Sequence, residues 1–260
     1  EIENRVINEK AINDFLEELE LNTLKKRLSE TVGFELEEKR AKAEKVILDL
    51  TYISCEKEVE AIKAVEILNK GETIALAEAV EQQKGLTGIA VDNNEDCYWF
   101  TKEIINTPKV KNALKKLFSS KGPGVAAYDS KKTYRELMNY GITLEKINLD
   151  VTLIQYLLEA SDSSKPISEI LSEYTELSFP DGIEKEGQLD FNSQEEQLNE
   201  AVANAKSISK LLGPLNELIN QKNLNKLNSD VELPLVSVLA EMENRGIAVD
   251  VKELKRLRDK

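Results

Sequence analysis

Glu78 and Glu81 close a short stretch, TIALAEAVEQ (73–82), and their type and placement suit catalysis. The apolar alternation at its start predicts a strand. A strand that delivers carboxylates to its end is how hard divalent cations are gripped, because they need charged oxygen donors on a rigid support. Asp129 closes a second apolar run, GVAAYD (124–129), and is a third acid of this kind. It directly precedes SKK, where an aspartate is ordinarily a helix N-cap. One reading is therefore an active metal-dependent nuclease site built on Glu78, Glu81 and Asp129.

Other chemistries are excluded by composition. The sequence has no histidine, which removes imidazole acid–base catalysis, Ser-His-Asp and Cys-His nucleophiles, and nearly all zinc sites. Lys and Arg number 35 against 48 Asp and Glu, a net charge of −13. Phosphate contacts dominate nucleic-acid affinity, so a chain this acidic is expected to bind DNA weakly or not at all by itself. Cys55 and Cys97 stand far apart with no C-x-x-C, which fits structural thiols in a reduced cytoplasmic protein. No apolar run is long enough for a membrane span, and no signal-peptide pattern is present. The sequence starts at Glu1 rather than Met and stops within VKELKRLRDK, a helix in progress, so it reads as an excerpt of a longer protein.

The elements that must position these acids follow from periodicity. Residues 8–29 have helical spacing, and 35–45 is a charged linker. VILDLTYI (46–53) predicts a strand and 56–71 an amphipathic helix capped by Gly71. Strands are expected at 72–80, 86–92 and 97–102, the last two joined by NNED. A helix at 108–119 starts on Pro108, the strand 124–129 leads into a helix closed by Gly141, and a strand at 147–150 leads into a helix at 151–160. Helices are expected at 166–174, 194–212, 214–222 and 230–245, the last capped by Ser229 or Asp230 and ended by Gly246. This order describes an α/β fold: a mixed sheet with helices on its faces. Trp99 is expected in the core. Tyr128, Tyr134 and Tyr140 do not share one helical face, and Lys131, Lys132 and Arg135 read as a solvated basic face.

Three stretches together carry a resemblance. FLEELELNTLKKRL (15–28) resembles the end of the 5′-nuclease region of the bacterial DNA polymerase I family. YDSKKTYRELMNYGITLEKINLDVTLIQYLLEAS (128–161) is similar to the middle of its 3′–5′ exonuclease domain, and ELPLVSVLAEMENRGIAVD (232–250) to the start of its polymerase domain. The resemblance implies four segments: 1–30 ending the 5′-nuclease, 31–45 a linker, 46–228 a ribonuclease H-like domain with a five-stranded mixed sheet, and 229–260 opening the polymerase. In active members four carboxylates from three motifs hold two divalent metals roughly 3.5–4 Å apart.

Position by position, the resemblance implies a degenerate site. Where a strand should end in Asp-x-Glu, this sequence has Glu78 and Val80. Counting back from Gly141 puts Thr133 at the aspartate of the second motif. The Tyr-x-x-x-Asp of the third falls on Glu200 and Asn204. A single altered carboxylate cannot hold two dications, so the implied role is structural, with no metal of its own. Mg2+, primer-template DNA and the neighbouring polymerase and 5′-nuclease domains belong to the parent chain, with no membrane involved. An unrelated acidic interaction module is the remaining alternative.

Overall fold

Alternation along the strand that carries Glu78 sets the layers of the molecule. Ile74 and Leu76 bury on one side of it and Ala75, Ala77 and Ala79 on the other, each side joining its own apolar cluster. The computed structural model describes residues 45–81, 85–159, 165–180, 182–183 and 193–259, with single helical residues at Ile12, Phe15, Leu16 and Leu28. The chain divides into two units, 1–44 and 45–260. The four helical residues of the first unit agree with the predicted spacing, and the rest of the 8–29 and 35–45 expectations lie outside the described residues.

In chain order the second unit opens with β1 (Val46–Ile47), β2 (Ile53–Cys55), α1 (Glu58–Leu68), β3 (Thr73–Glu81), β4 (Gly85–Asp92) and β5 (Cys97–Thr101). Then come α2 (Lys102–Asn106), α3 (Pro108–Leu117), β6 (Gly124–Ala127), α4 (Ser130–Met138), β7 (Ile147–Asp150), α5 (Val151–Leu158), α6 (Ile167–Tyr174) and β8 (Leu177–Ser178). The helical tail is α7 (Gln194–Gln221), α8 (Asn225–Leu227), a π-helical turn over Asn228–Glu232, α9 (Leu233–Arg245) and α10 (Val251–Arg258).

The main sheet has six strands in the order β2-β5-β4-β3-β6-β7. β3, β4 and β5 form an antiparallel meander, and β2, β6 and β7 join in parallel. The resemblance implied five strands; the sheet has six, and the predicted strand at 46–53 is split between two sheets. Val46 and Ile47 are exposed and pair with Leu177 and Ser178 in a separate two-stranded sheet, while Ile53–Cys55 adds the edge strand beside β5.

One face of the sheet packs α1, α3 and α4 through Ala61, Leu68, Val110, Leu114, Tyr134 and Leu137. The other takes α5, α6 and α7 through Ile154, Leu171, Val202, Ile208 and Leu215. Each fully buried Leu or Ile stabilises by about 1.5–3 kcal/mol. Alanines meet alanines where α7 crosses β3: Ala75, Ala77 and Ala79 on the strand, Ala201 and Ala205 on the helix. Small side chains admit close approach, and that approach brings the first turns of α7 to the end of β3.

Several expected boundaries change. Helix α1 ends at Asn69 rather than Gly71. The helices expected at 194–212 and 214–222 are one helix with Pro214 inside it. Proline there removes the bond to the Lys210 carbonyl, but Lys210 and Gly213 are exposed, so water satisfies it, and Leu211 and Leu215 hold both halves on the sheet. Neither Ser229 nor Asp230 caps the helix before Gly246, because the π turn feeds α9 directly. Gly141 does close α4, at φ +67, with its N–H on the Met138 carbonyl at 2.8 Å. Cys55 and Cys97 are buried, and burial pushes both thiols up to about 12, which leaves them unreactive.

Asp92, at the end of β4, is 4% exposed and accepts from the Ser209 hydroxyl and the Asn94 backbone N–H. Burial raises its carboxyl above the ordinary 3.8, and these bonds and two lysines only partly offset it. The folded state therefore binds this proton more readily than the unfolded chain. The stability Asp92 contributes is complete below pH 3.8 and is lost as pH rises through its folded value. Asp92→Asn is expected to flatten that part of the stability profile, read from denaturant midpoints between about pH 4 and 7.

Candidate functional site

β3 and β6 run parallel and pair only over Thr73–Ala75 and Gly124–Ala126. Beyond Ala75 they diverge, and a cleft of about 180 Å³ opens at their carboxyl ends, the usual place for a site in such a sheet. Its floor is β3 from Leu76 to Val80; its walls are Tyr128, Asp129 and Lys132 on one side and Gln197, Glu200, Ala201 and Asn204 on the other. The α7 residues recur at three- and four-residue spacing, so one helical face turns toward the strand.

A bulge fixes that wall. Between Ala79 and Val80 the pairing steps from Gly88 to Leu86, leaving Thr87 as the extra residue of β4. The Thr87 hydroxyl lies 3.1 Å from the Ala79 carbonyl and 3.1 Å from Gln197 Oε1, sharing its proton between strand and helix. On the opposite wall the Tyr128 hydroxyl donates to the Lys165 carbonyl at 2.6 Å. The Lys165 ammonium is in turn held by Glu159 and Glu173 at 3.2 and 3.0 Å.

Glu78 lies at the centre, its side chain 9% exposed. The Thr133 hydroxyl donates to Glu78 Oε2 at 2.7 Å, and the Lys132 ammonium sits 3.1 Å from Oε1. Each oxygen thus has one partner from the protein itself. Burial works against the charged form of Lys132, but the Glu78 carboxylate, with Asp129 and Glu200 beyond it, overcomes this and holds the ammonium above the usual lysine range. Asp129 caps α4, its Oδ1 accepting from the Lys132 backbone N–H at 3.0 Å. The start of α4 is fixed from behind by Asp150, which caps α5 through Leu153 N and accepts from Ser130 N at 2.7 Å.

The structure thus brings the sequence-derived positions together. Glu78, Val80, Glu200 and Asn204 line one cleft, and Thr133 touches Glu78. Val80 packs toward the cluster that holds Ile74 and Leu76. Glu81 is in the last pair of β3, opposite Gly85, and does not line the cleft. Among the described residues no three acids, cysteines or histidines converge in a way that could hold a metal ion. Of the three carboxylates that line the cleft, Glu78 is paired with an ammonium and Asp129 caps α4, and with Glu200 and the amides Gln197 and Asn204 they do not fit a two-metal centre.

Lys132 is the residue that sequence reasoning missed. The basic face it was assigned to is solvent-exposed as expected, but its members are paired: Lys131 and Arg135 each reach Glu243 of α9 at 2.8 Å, while Lys132 turns to the cleft. Its place in the first turn after the Asp129 cap was legible; nothing local says that its side chain crosses to β3. Trp99, 5% exposed, is a core residue as expected. Of the tyrosines, Tyr134 is buried and Tyr140 packs against the cluster on its side of the sheet.

Comparison with known proteins places this geometry. The family model for the ribonuclease H-like domain of DNA polymerase I matches residues 73–180. DNA polymerase I of Mycobacterium tuberculosis is 25% identical over 173 residues, which is 65% of this chain and 19% of that protein. The chain thus spans about a fifth of the curated relatives it matches. Among solved structures, the POL domain of Pol1 from M. smegmatis, in complex with DNA primer-template and dNTP, superposes with a TM-score of 0.64 at 22% identity, covering 79% of this chain and 34% of that one. Escherichia coli RNase D, an exoribonuclease involved in structured RNA processing, gives 0.62 at 14% identity, over 74% of this chain and 51% of that one. The sheet, the cleft at the ends of β3 and β6, and these likenesses in sequence and in fold agree on one assignment: residues 73–180 match the ribonuclease H-like domain of DNA polymerase I, and the chain is similar in sequence to DNA polymerase I over about two thirds of its length.

Proposed function

We propose that the domain over residues 46–228 is an exonuclease-like domain without exonuclease chemistry, serving as a structural part of a DNA-directed DNA polymerase. One observation carries this reading: Glu78, the carboxylate on the floor of the cleft, has a contact on each oxygen from the protein's own Thr133 and Lys132. The positions that would complete a two-metal site are Val80, Thr133 and Asn204, none of which supplies an anionic oxygen. Asp129 is engaged as a helix cap.

The parent chain then supplies what this segment does not. Its polymerase and 5′-nuclease domains are the partners, primer-template DNA is held through the whole protein, and Mg2+ serves the polymerase. The net charge of −13 favours a scaffold over a groove that tracks a phosphate backbone. Among the described residues no helix is long and apolar enough to cross a membrane, and the proposed setting is the cytoplasm.

The test is direct. Incubated with 5′-labelled single-stranded DNA and millimolar Mg2+ or Mn2+, the chain is expected to shorten the strand no faster than a chelated control. Shortening that Glu78→Ala abolishes would overturn the proposal.

A further inference from the structure

A carboxylate that is nine-tenths buried needs a cation beside it, and this cleft contains its own. Among the described residues that line it, Lys132 is the one that carries positive charge, facing Glu78, Asp129 and Glu200. The other two bases on the same face of α4, Lys131 and Arg135, are both drawn to Glu243 on α9. We infer that Lys132 is the resident cation of the cleft: its ammonium takes the charge position of a divalent metal at Glu78 and excludes metal from it. This rests on the reading of the cleft as one that no longer works on DNA.

The geometry supports exclusion as well as neutralisation. Lys132 starts from the first turn of α4, where its own backbone N–H is fixed to Asp129 Oδ1 at 3.0 Å. Its stem therefore leaves from the wall of the cleft, and with its side chain 59% exposed it covers Glu78 from the solvent side. A dication arriving at Glu78 would have to break the ammonium contact at 3.1 Å and the Thr133 hydrogen bond at 2.7 Å. The displaced ammonium would remain tethered beside it by the fixed start of α4. Like charges a few ångströms apart in a partly buried site repel strongly. Removing the ammonium alone leaves Glu78 as an uncompensated buried anion, the costly half of a broken ion pair. The lysine differs from a metal in one respect: being covalently part of α4, it cannot be chelated or diluted away.

The experiment is a calorimetric titration of the 260-residue chain with MnCl2, repeated on Lys132→Met and on Lys132→Met/Glu78→Gln. The wild type is expected to show no saturable Mn2+ binding tighter than about 10 mM, and Lys132→Met to gain a saturable site at least about tenfold tighter. The double variant is expected to lose that site again. A Lys132→Met protein with no gain in Mn2+ binding, or a gain that survives Glu78→Gln, overturns the inference. So does a wild type that already binds Mn2+ through Glu78. If Lys132→Met does not fold, folding of the double variant supports the pairing, and failure of both overturns it. The nuclease assay above remains separate. DNA shortening by the wild type removes the proposed function, whereas an inert wild type whose Lys132→Met variant gains no metal removes only this inference.

Discussion

Gly88→Ala is expected to destabilise the domain by about 3 kcal/mol, the upper range for forcing one extra carbon into a filled core. A methyl on Gly88 would lie 2.3 Å from Trp99 Cζ2, 2.4 Å from Cη2 and 2.8 Å from the Phe100 carbonyl oxygen. The indole cannot simply swing away, because Trp99 is 5% exposed and packs within the cluster that includes Ala77, Ala79 and Ala90. The carbonyl cannot retreat either, since β4 and β5 are paired from Gly88–Thr101 to Asp92–Cys97. Gly88 also stands beside Thr87, the bulge residue that reaches Gln197, so the clash is transmitted to the α7 wall of the cleft. The measurement is the urea midpoint at unchanged slope. A loss under about 0.5 kcal/mol would show that the ring has room to move.

Asp150→Ala is expected to cost a similar amount, about 3 kcal/mol, through hydrogen bonds rather than volume. The residue is 2% exposed. Its Oδ2 accepts from Ser130 N at 2.7 Å, and its Oδ1 accepts from Leu153 N at 2.9 Å and the Thr152 hydroxyl at 2.7 Å. Alanine strands donors at the starts of two helices at once, in a place where water cannot replace the acceptor. Asp150→Asn is expected to fall between wild type and alanine, since one oxygen is kept while an N–H2 group confronts the Ser130 N–H. The second readout is local. Thr133 donates its amide to the Asp129 carbonyl in the first turn of α4, so faster hydrogen exchange there would report that the cleft wall has loosened. Unchanged exchange at Thr133 with full loss of stability would place the effect in α5 instead.

Much of this arrangement was legible in the sequence, for identifiable reasons. β3, β4 and β5 are consecutive, alternating and closely spaced, so local pattern decides both their existence and their pairing. The Asp129 cap is a one-turn interaction, readable from an acid placed before SKK. Thr133 and Asn204 were located through the family resemblance, by counting from Gly141 and by matching Tyr-x-x-x-Asp, whose spacing maps onto one helical face. What escaped depends on distant partners. Val46 and Ile47 became a separate strand only because Leu177 and Ser178 lie beside them. Pro214 looked like a break, yet the apolar stripe on either side of it outweighs one lost bond on the solvent side. Lys132 could not be singled out from Lys131, since the two differ by one residue and about 100° of helical turn, and only the fold says which direction holds Glu78 and which holds Glu243.

The Thr133–Glu78–Lys132 contacts make added acids in the cleft costly. Thr133→Asp would set a second carboxylate at hydrogen-bonding distance from Glu78, at a position 1% exposed. Val80→Asp would press a charge against the cluster of Ile74 and Leu76. On the proposed reading neither change gains a metal in return, so each single step toward a more acidic cleft is uphill in folding free energy.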